Sequence, residues 1–175
     1  MIHTNKTIAH RCSFLRAPTL NPESLSAIHI DIQITSKAKS IPSQKTLKKW
    51  IQTALTIHRI RSADIGIQII STPKMAELNQ HYRKNSGPTN VLTFIYEEGK
   101  NLAGDVVLCP LVIQQEAKQF NLRPIERFAH IVVHGCLHLM GFDHELNATE
   151  AERMEKAEIK VLKKLGYKNP YNEMP

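Results

Sequence analysis

The sequence is short of cysteine and of long apolar runs, and each shortage excludes a class of protein. Its cysteines, Cys12, Cys109 and Cys136, are too few and too scattered for a disulfide framework, and none forms a CxxC metal-binding pair. This usage favours a reducing cytosol, so we expect a cytoplasmic protein. No apolar run approaches the roughly 18 residues that a membrane-spanning helix needs, so we expect no membrane partner.

Acidic residues are also in deficit. The chain carries 23 Lys and Arg against 16 Asp and Glu, which gives a net charge of +7. Such a surplus favours a polyanionic partner such as RNA, although many basic proteins bind no nucleic acid. Lys45, Lys48 and Lys49 share one side of a predicted helix, where they form either a solvated helix face or an RNA-facing patch.

A hydrophobic content of 42% in 175 residues is enough for one domain with a sizeable core. We assign that domain to residues 26–175. Residues 1–25 lack the apolar core of a secretory signal, and we interpret them as an N-terminal extension that is either a poorly ordered tail or an over-long start. A transit peptide is the alternative, because Lys6, Arg11 and Arg16 precede the first acidic residue, Glu23.

The hydrophobic pattern alternates between strand-like and helix-like segments. Strands are predicted from period-two alternation or β-branched content, over residues 27–35, 63–71, 91–96 and 103–109. Helical spacing predicts helices over residues 44–58, 73–82, 110–120, 148–165 and from Pro124 into the histidines described next. The interleaving predicts a single-domain α+β fold, with a small mixed sheet of about four strands packed with about five helices. In the last helix, glutamates up to Glu158 precede lysines, an order that suits the helix dipole and for which we expect no other role.

Residues 134–144, HGCLHLMGFDH, contain three histidines at the spacing of a metal site. His134 and His138 are four residues apart, so a helix places them on one face with their Cβ atoms roughly 6 Å apart. Gly141 can adopt a positive φ, end that helix and let the chain bring His144 to the same point. Three imidazoles in this arrangement are typical of catalytic zinc, whose fourth position stays open. We therefore predict a zinc site on the C-terminal helical side of the fold.

Two neighbours of these histidines each admit two interpretations. Asp143 either orients one imidazole through its second ring nitrogen or is a turn residue. His130 lies one helical turn before His134 and is either a proton carrier beside the site or, as we favour, a buried histidine with satisfied hydrogen bonds.

A three-histidine zinc site points first to hydrolysis. The spacing His–x3–His–x5–His is also that of the metzincin peptidases, HExxHxxGxxH. Those enzymes carry their general base, a glutamate, directly after the first histidine, where this chain has Gly135. The spacing therefore supports a metal site, while the missing carboxylate disfavours a peptidase.

Beyond the histidines, several motifs resemble those of one family. HGCLHLMGFDH resembles the signature HGxLHLxGYDH of the YbeY endoribonucleases, and YRKNSGPTNVLTF is similar to their YRxKxxPTNVLSF segment. LAGDVVLCP resembles their GDIxIC strand, LGYKNPY also fits, and the matches span about residues 27–171 in order. The departures are small: Phe142 replaces the usual tyrosine, Thr93 the usual serine and Ile95 a common proline.

The resemblance implies a metal-dependent, single-strand-specific endoribonuclease that acts in 16S rRNA 3′-end maturation and ribosome quality control. It places one zinc ion, or another divalent metal such as nickel, on His134, His138 and His144, and a catalytic arginine at Arg83. The implied partners are single-stranded RNA, 16S rRNA and the small ribosomal subunit with its proteins, without DNA. A guanidinium suits the role at Arg83, because its planar fork binds two phosphate oxygens and keeps its charge.

Two other functions stay open. A metallopeptidase would draw its carboxylate base from elsewhere in the fold, whereas a non-catalytic ribosome-assembly factor would use the metal only to hold its C-terminal helices together. The attacking group of an endoribonuclease is also open, being either a metal-activated water or the 2′-hydroxyl of the RNA.

Overall fold

Residues 28–99 and 101–172, which the computed structural model describes, contain four strands and five α-helices. The strands are β1 (Ile28–Ile34), β2 (Ser62–Ile69), β3 (Val91–Glu97) and β4 (Asn101–Leu108). The helices are α1 (Gln44–Ile57), α2 (Thr72–Arg83), α3 (Pro110–Gln119), α4 (Pro124–Leu139) and α5 (Ala148–Leu165), and a 3-10 turn follows at Pro170–Asn172. The predicted α+β class is confirmed. The extension predicted over residues 1–25 lies outside the described residues.

The four strands form one mixed sheet in the order β1-β2-β4-β3. β1 and β4 each run parallel to β2, whereas β3 pairs with β4 in the antiparallel direction. The β3–β4 connection contains Gly99 at a φ of +90°, which confirms the predicted hairpin. The parallel crossovers and the hairpin together make β4 an inner strand, and its residues from Leu102 to Leu108 are all buried.

Helices cover both faces of this sheet. The larger core lies on the face covered by α1, α4 and α5, where apolar strand residues meet helix side chains such as Trp50 and Leu137. A smaller core lies on the opposite face under α2, and it is formed by Ile70, Met75, Leu78, Leu92, Phe94, Val107 and Cys109. None of the described helices is both long enough and apolar enough to cross a membrane.

Helix α4 is the most deeply buried helix and carries the candidate site. Every residue from Arg127 to Leu139 is buried, as expected for a helix that is apolar around most of its circumference. Its N-terminus is fixed by Pro124 and by a reciprocal contact between Arg123 and Glu126. The helix packs against β3 and β4 on one side and against α5 on another, so its polar residues face protein, not solvent.

Candidate metal centre

The C-terminal turn of α4 reverses the chain after the second histidine of the motif. Gly141 has a φ of +83°, and its N–H donates to the carbonyl of His138 at 3.0 Å. The N–H of Phe142 donates to the carbonyl of Leu137 at 3.1 Å, which completes a Schellman motif. The turn predicted at Gly141 is confirmed, and the chain returns His144 toward the helix.

Phe142 anchors this turn in the core. Its ring lies 5.2 Å from the His58 ring in an edge-on arrangement, and the Arg153 guanidinium lies 4.7 Å above it. Aromatic and cation–π contacts of this kind fix the direction in which the following residues leave the helix.

The structure brings the three histidines of the motif together. Their ring centroids are 4.7 Å apart for His134 and His138, 5.2 Å for His134 and His144, and 5.1 Å for His138 and His144. One nitrogen from each ring lies within 4.8 Å of the other two. The predicted set is therefore a compact triangle of imidazoles.

The separation of the nitrogens fits a metal ion. Nε2 of His134 and Nε2 of His138 are 3.2 Å apart, and nitrogens bound to one tetrahedral zinc at about 2.0–2.1 Å lie about 3.3 Å from each other. Nε2 of His144 is buried without a hydrogen-bond partner among the described residues. A proton can be shared by two nitrogens at most, whereas a cation satisfies all three.

Burial favours the neutral form of two of these imidazoles, those of His138 and His144. His138 is fully buried, and burial, followed by the nearby His134 and His144 rings, lowers its pKa to about 2. Burial is also the main cause that lowers the pKa of His144. A metal binds the neutral form of histidine, so the site needs no proton loss at neutral pH from either ring.

Glu158 of α5, not Asp143, orients an imidazole of this set. Oδ1 of Asp143 accepts a hydrogen bond from the N–H of Glu145 at 2.9 Å. Of the two interpretations of Asp143, the structure therefore supports the turn residue. Oε1 of Glu158 lies 2.6 Å from Nδ1 of His134. Burial by itself raises the pKa of Glu158, but His130 and His134 outweigh it and leave that pKa below its usual range. The group is thus a carboxylate, and Nδ1 of His134 is the donor.

His130 is the satisfied buried histidine that we favoured. It is 3% exposed, and its Nδ1 accepts from Nη1 of Arg127 at 3.0 Å. Its Nε2 donates to Oε2 of Glu158 at 3.1 Å, and the Tyr171 hydroxyl donates to the same oxygen. His130 therefore contacts the site through Glu158.

A second carboxylate holds Arg127 from the other side. Nε and Nη2 of Arg127 donate to Oε2 of Glu116 at 3.0 and 2.9 Å. The same carboxylate accepts from the Asn90 amide at 3.0 and 3.1 Å. Asn90, which directly precedes β3, is thereby joined to the site by a continuous chain of buried and half-buried polar groups.

A cavity of about 170 Å³ lies against His134 and His144. At about 30 Å³ for each water molecule, it has room for several waters or for part of a substrate. Besides the two histidines it is lined by Asn90, Arg127, His130, Ile131, Ala151, Met154, Glu155, Glu158 and Tyr171.

Arg83 lies near the residue that directly follows His144 in the chain. It is the last residue of α2, its side chain is 5% exposed, and its Nη2 is 3.6 Å from Oε1 of Glu145. Burial lowers the pKa of the guanidinium and Glu145 opposes this, so the group stays charged at neutral pH. Arg83 does not line the cavity, and it approaches the site beside the segment that follows His144.

Gly135 faces the sheet. A Cβ atom at this position would lie 2.7 Å from Cγ1 of Val106 and 3.4 Å from Cγ2 of Val91. The position that holds the general base in metzincins is therefore packed against β3 and β4, with no room for a carboxylate.

One sequence-based expectation is wrong. The charge pattern of the last helix predicts no role for Glu158, but this residue is fully buried among the core-facing residues of α5, which are Met154, Ala157, Glu158, Val161 and Leu162. The signal was present in the sequence, because Glu158 occupies an apolar position of the helical repeat. A carboxylate there needs a buried partner.

Comparison with known proteins gives consistent matches over most of the chain. The family model described as Endoribonuclease YbeY matches residues 31–166. Endoribonuclease YbeY of Colwellia psychrerythraea is 39% identical over 153 residues, which cover 82% of this chain and 97% of that protein. The protein of the same description from Coxiella burnetii is 39% identical over 153 residues, with 83% and 99% covered.

A third relative, Endoribonuclease YbeY of Cellvibrio japonicus, is 37% identical over 154 residues, covering 85% of this chain and 86% of that protein. Among solved structures, the solution structure of TM1509 from Thermotoga maritima is similar, with a TM-score of 0.54 and 28% identity. That match covers 78% of this chain and 91% of the other.

Proposed function

The chain belongs to the YbeY endoribonuclease family, and we propose that it is a zinc-dependent endoribonuclease specific for single-stranded RNA. Its substrate in this proposal is 16S rRNA, on which it acts in 3′-end maturation and in quality control of the small ribosomal subunit. The reaction takes place in the cytoplasm, where that subunit is assembled. The observation that carries the proposal is the convergence of three imidazoles beside a cavity.

His134, His138 and His144 would hold the metal. Zinc suits three neutral nitrogens, and nickel is the alternative ion. A bound ion supplies Lewis acidity toward a phosphoryl oxygen and lowers the pKa of water. His138 and His144 present their lone pairs from positions in which burial disfavours protonation.

Arg83 would contact the scissile phosphate. Its guanidinium lies 3.6 Å from the carboxylate of Glu145, the residue that follows His144, and this neighbourhood supports the assignment. The planar guanidinium fork matches the spacing of two phosphate oxygens. Charge that develops on the phosphate during attack would be stabilised by this fixed cation.

The attacking group is the 2′-hydroxyl of the RNA in our proposal. The packing of Gly135 against the sheet leaves no carboxylate base at the metzincin position, and a 2′-hydroxyl is already held next to the phosphate by the substrate. Products that end in a 2′,3′-cyclic phosphate would support this assignment. If no 2′,3′-cyclic phosphate forms at any stage of the reaction, the attacking group is water.

The function is tested by metal analysis and RNA cleavage on the same preparations. We expect the wild type to contain one zinc per chain and to cleave single-stranded RNA, and His138→Ala to have neither property. Arg83→Lys should keep its metal and fold but cleave about 100-fold more slowly, by analogy with removal of one oxyanion donor. Arg61→Lys, an exchange at an exposed arginine, is the matched control.

Two outcomes would contradict the proposal. Cleavage of casein without cleavage of RNA would identify a metallopeptidase. Normal 16S rRNA maturation in cells that carry only Arg83→Lys or His138→Ala, with no RNA cleavage by the purified wild type, would identify an assembly factor that binds RNA without cutting it. In the proposed enzyme, RNA binding should weaken with added salt, because phosphate contacts release counterions.

A further inference from the structure

We infer that Glu158 and Tyr171 are positioning residues of the candidate metal centre, which set the proton and the orientation of His134 and thereby the metal affinity. This role rests on the proposed function, because it takes His134 to be a metal ligand. Both residues come from the C-terminal part of the chain, 24 and 37 residues after His134.

Glu158 is buried at a position where an apolar side chain would be expected. It is 0% exposed and lies between the core-facing Met154 and Leu162 of α5. A carboxylate removed from water in this way is tolerated only if donors surround it. Three donors do so here: Nδ1 of His134, Nε2 of His130 and the Tyr171 hydroxyl.

The direction of each hydrogen bond is fixed by the groups at the two ends. Arg127 can only donate, so Nδ1 of His130 must accept from it and Nε2 of His130 must carry a proton. The Glu158 carboxylate can only accept, so Nδ1 of His134 also carries a proton. This leaves Nε2 of His134 as the nitrogen available to a metal, and it is the atom that faces Nε2 of His138 at 3.2 Å.

Tyr171, in the C-terminal 3-10 turn, is the third hydrogen-bond donor to Glu158. Its hydroxyl donates to the same Glu158 oxygen as His130, and its ring lies edge-on to the His130 ring at 5.5 Å. Because this turn lies beyond the end of α5, the Tyr171 contact makes the docking of the C-terminal segment part of the site.

Without the Glu158 carboxylate, the proton of His134 would no longer be fixed on Nδ1. An amide at position 158 still offers one oxygen, but its N–H groups would face donors, so three donors could no longer be satisfied. The proton of His134 could then move to Nε2 and block the lone pair that faces His138. Loss of an outer partner of this kind typically weakens metal binding about 10–100-fold.

The test measures zinc affinity of the full-length protein by competition with a chromogenic chelator, with urea unfolding of the metal-free protein alongside. We expect Glu158→Gln to bind zinc about 10–100-fold more weakly. Tyr171→Phe removes one hydroxyl and should weaken binding several-fold. Glu152→Gln, an exposed exchange on the same helix, and Tyr167→Phe, whose ring packs on Trp50, are the matched controls and should bind as the wild type does.

Wild-type affinity in a folded Glu158→Gln protein would overturn the inference. If Glu158→Gln does not fold, Tyr171→Phe decides: weaker zinc binding than in Tyr167→Phe supports the role, and equal binding overturns it. A wild type that binds no zinc at all would instead overturn the proposed function, so the two failures are distinguishable.

Discussion

At the scale of single residues, Gly135 determines how closely α4 approaches the sheet. Its would-be Cβ meets Val106 at 2.7 Å, a distance below any ordinary van der Waals contact. A glutamate introduced there would place its carboxylate among valines of β3 and β4, away from the histidines. The absence of a peptidase base is thus a consequence of helix-on-sheet packing.

Replacement of Gly135 by alanine tests this contact. Alanine favours a helix by about 1 kcal/mol over glycine, whereas overpacking a core costs about 1–3 kcal/mol. Val106 is fully buried and β-branched, so it cannot rotate away and overpacking should prevail. We expect Gly135→Ala to lower the free energy of unfolding by about 1 kcal/mol, measured by urea denaturation.

The double variant Gly135→Ala with Val106→Ala is its control. Removal of the valine methyl groups gives the new Cβ space, so the two changes together should destabilise less than the sum of the single changes. Strictly additive losses would show that the contact between α4 and β4 is not the cause.

At the scale of elements, the end of α4 controls the third histidine. Gly141 has a φ of +83°, and a Cβ atom there would meet nothing within 4 Å. An alanine at this position would therefore be destabilising through backbone strain and not through a steric clash. We expect Gly141→Ala to lower the free energy of unfolding by about 1–2 kcal/mol. Zinc affinity should fall as well, because relief of the strain moves His144 away from its partners.

Gly99→Ala is the comparison for that variant. Gly99 also has a positive φ, +90°, and open space around its would-be Cβ, but it lies in the β3–β4 connection. It should lose similar stability in thermal or urea unfolding and keep wild-type zinc affinity in the chelator competition. Equal zinc affinity in both variants would show that the turn at Gly141 does not position His144.

Most elements were predictable because their signals are local. The alternation in residues 27–35 and the helical spacing in residues 44–58 report which face of each segment is buried, and β1 and α1 follow them. The convergence of His144 on His134 and His138 was also predictable from local signals, because it depends on the single turn at Gly141. The sheet order and the partner of His134 were not local, because Glu158 reaches that histidine only through the packing of α5 on α4.

At the scale of the whole molecule, the buried histidines make stability depend on pH. The pKa of His138 is lowered to about 2, chiefly by burial, and burial also lowers the pKa values of His130 and His144. As pH falls through about 6.5, the unfolded chain takes up protons at these residues more readily than the folded chain. The metal-free protein should therefore lose stability below about pH 6.5, by up to about 1.4 kcal/mol per pH unit for each of the buried His130 and His138. The half-buried His144 should contribute less, because solvent screens its charge.

Urea unfolding with a chelator present, at about pH 7 and about pH 5, measures this loss. His138→Gln removes one of the titrating groups, so its free energy of unfolding should depend less steeply on pH than that of the wild type. Identical slopes for the two proteins would show that His138 becomes protonated in the folded state too.

The metal centre would be difficult to transplant because it depends on a chain of polar contacts. This chain runs from Asn90 through Glu116, Arg127 and His130 to Glu158. A peptide of residues 124–144 contains all three imidazoles, yet the carboxylates that hold His134 and Arg127 belong to α5 and α3. Grafted onto another scaffold, such a peptide would carry the donor atoms without their alignment. The smallest portable unit is therefore close to the entire layer of helices.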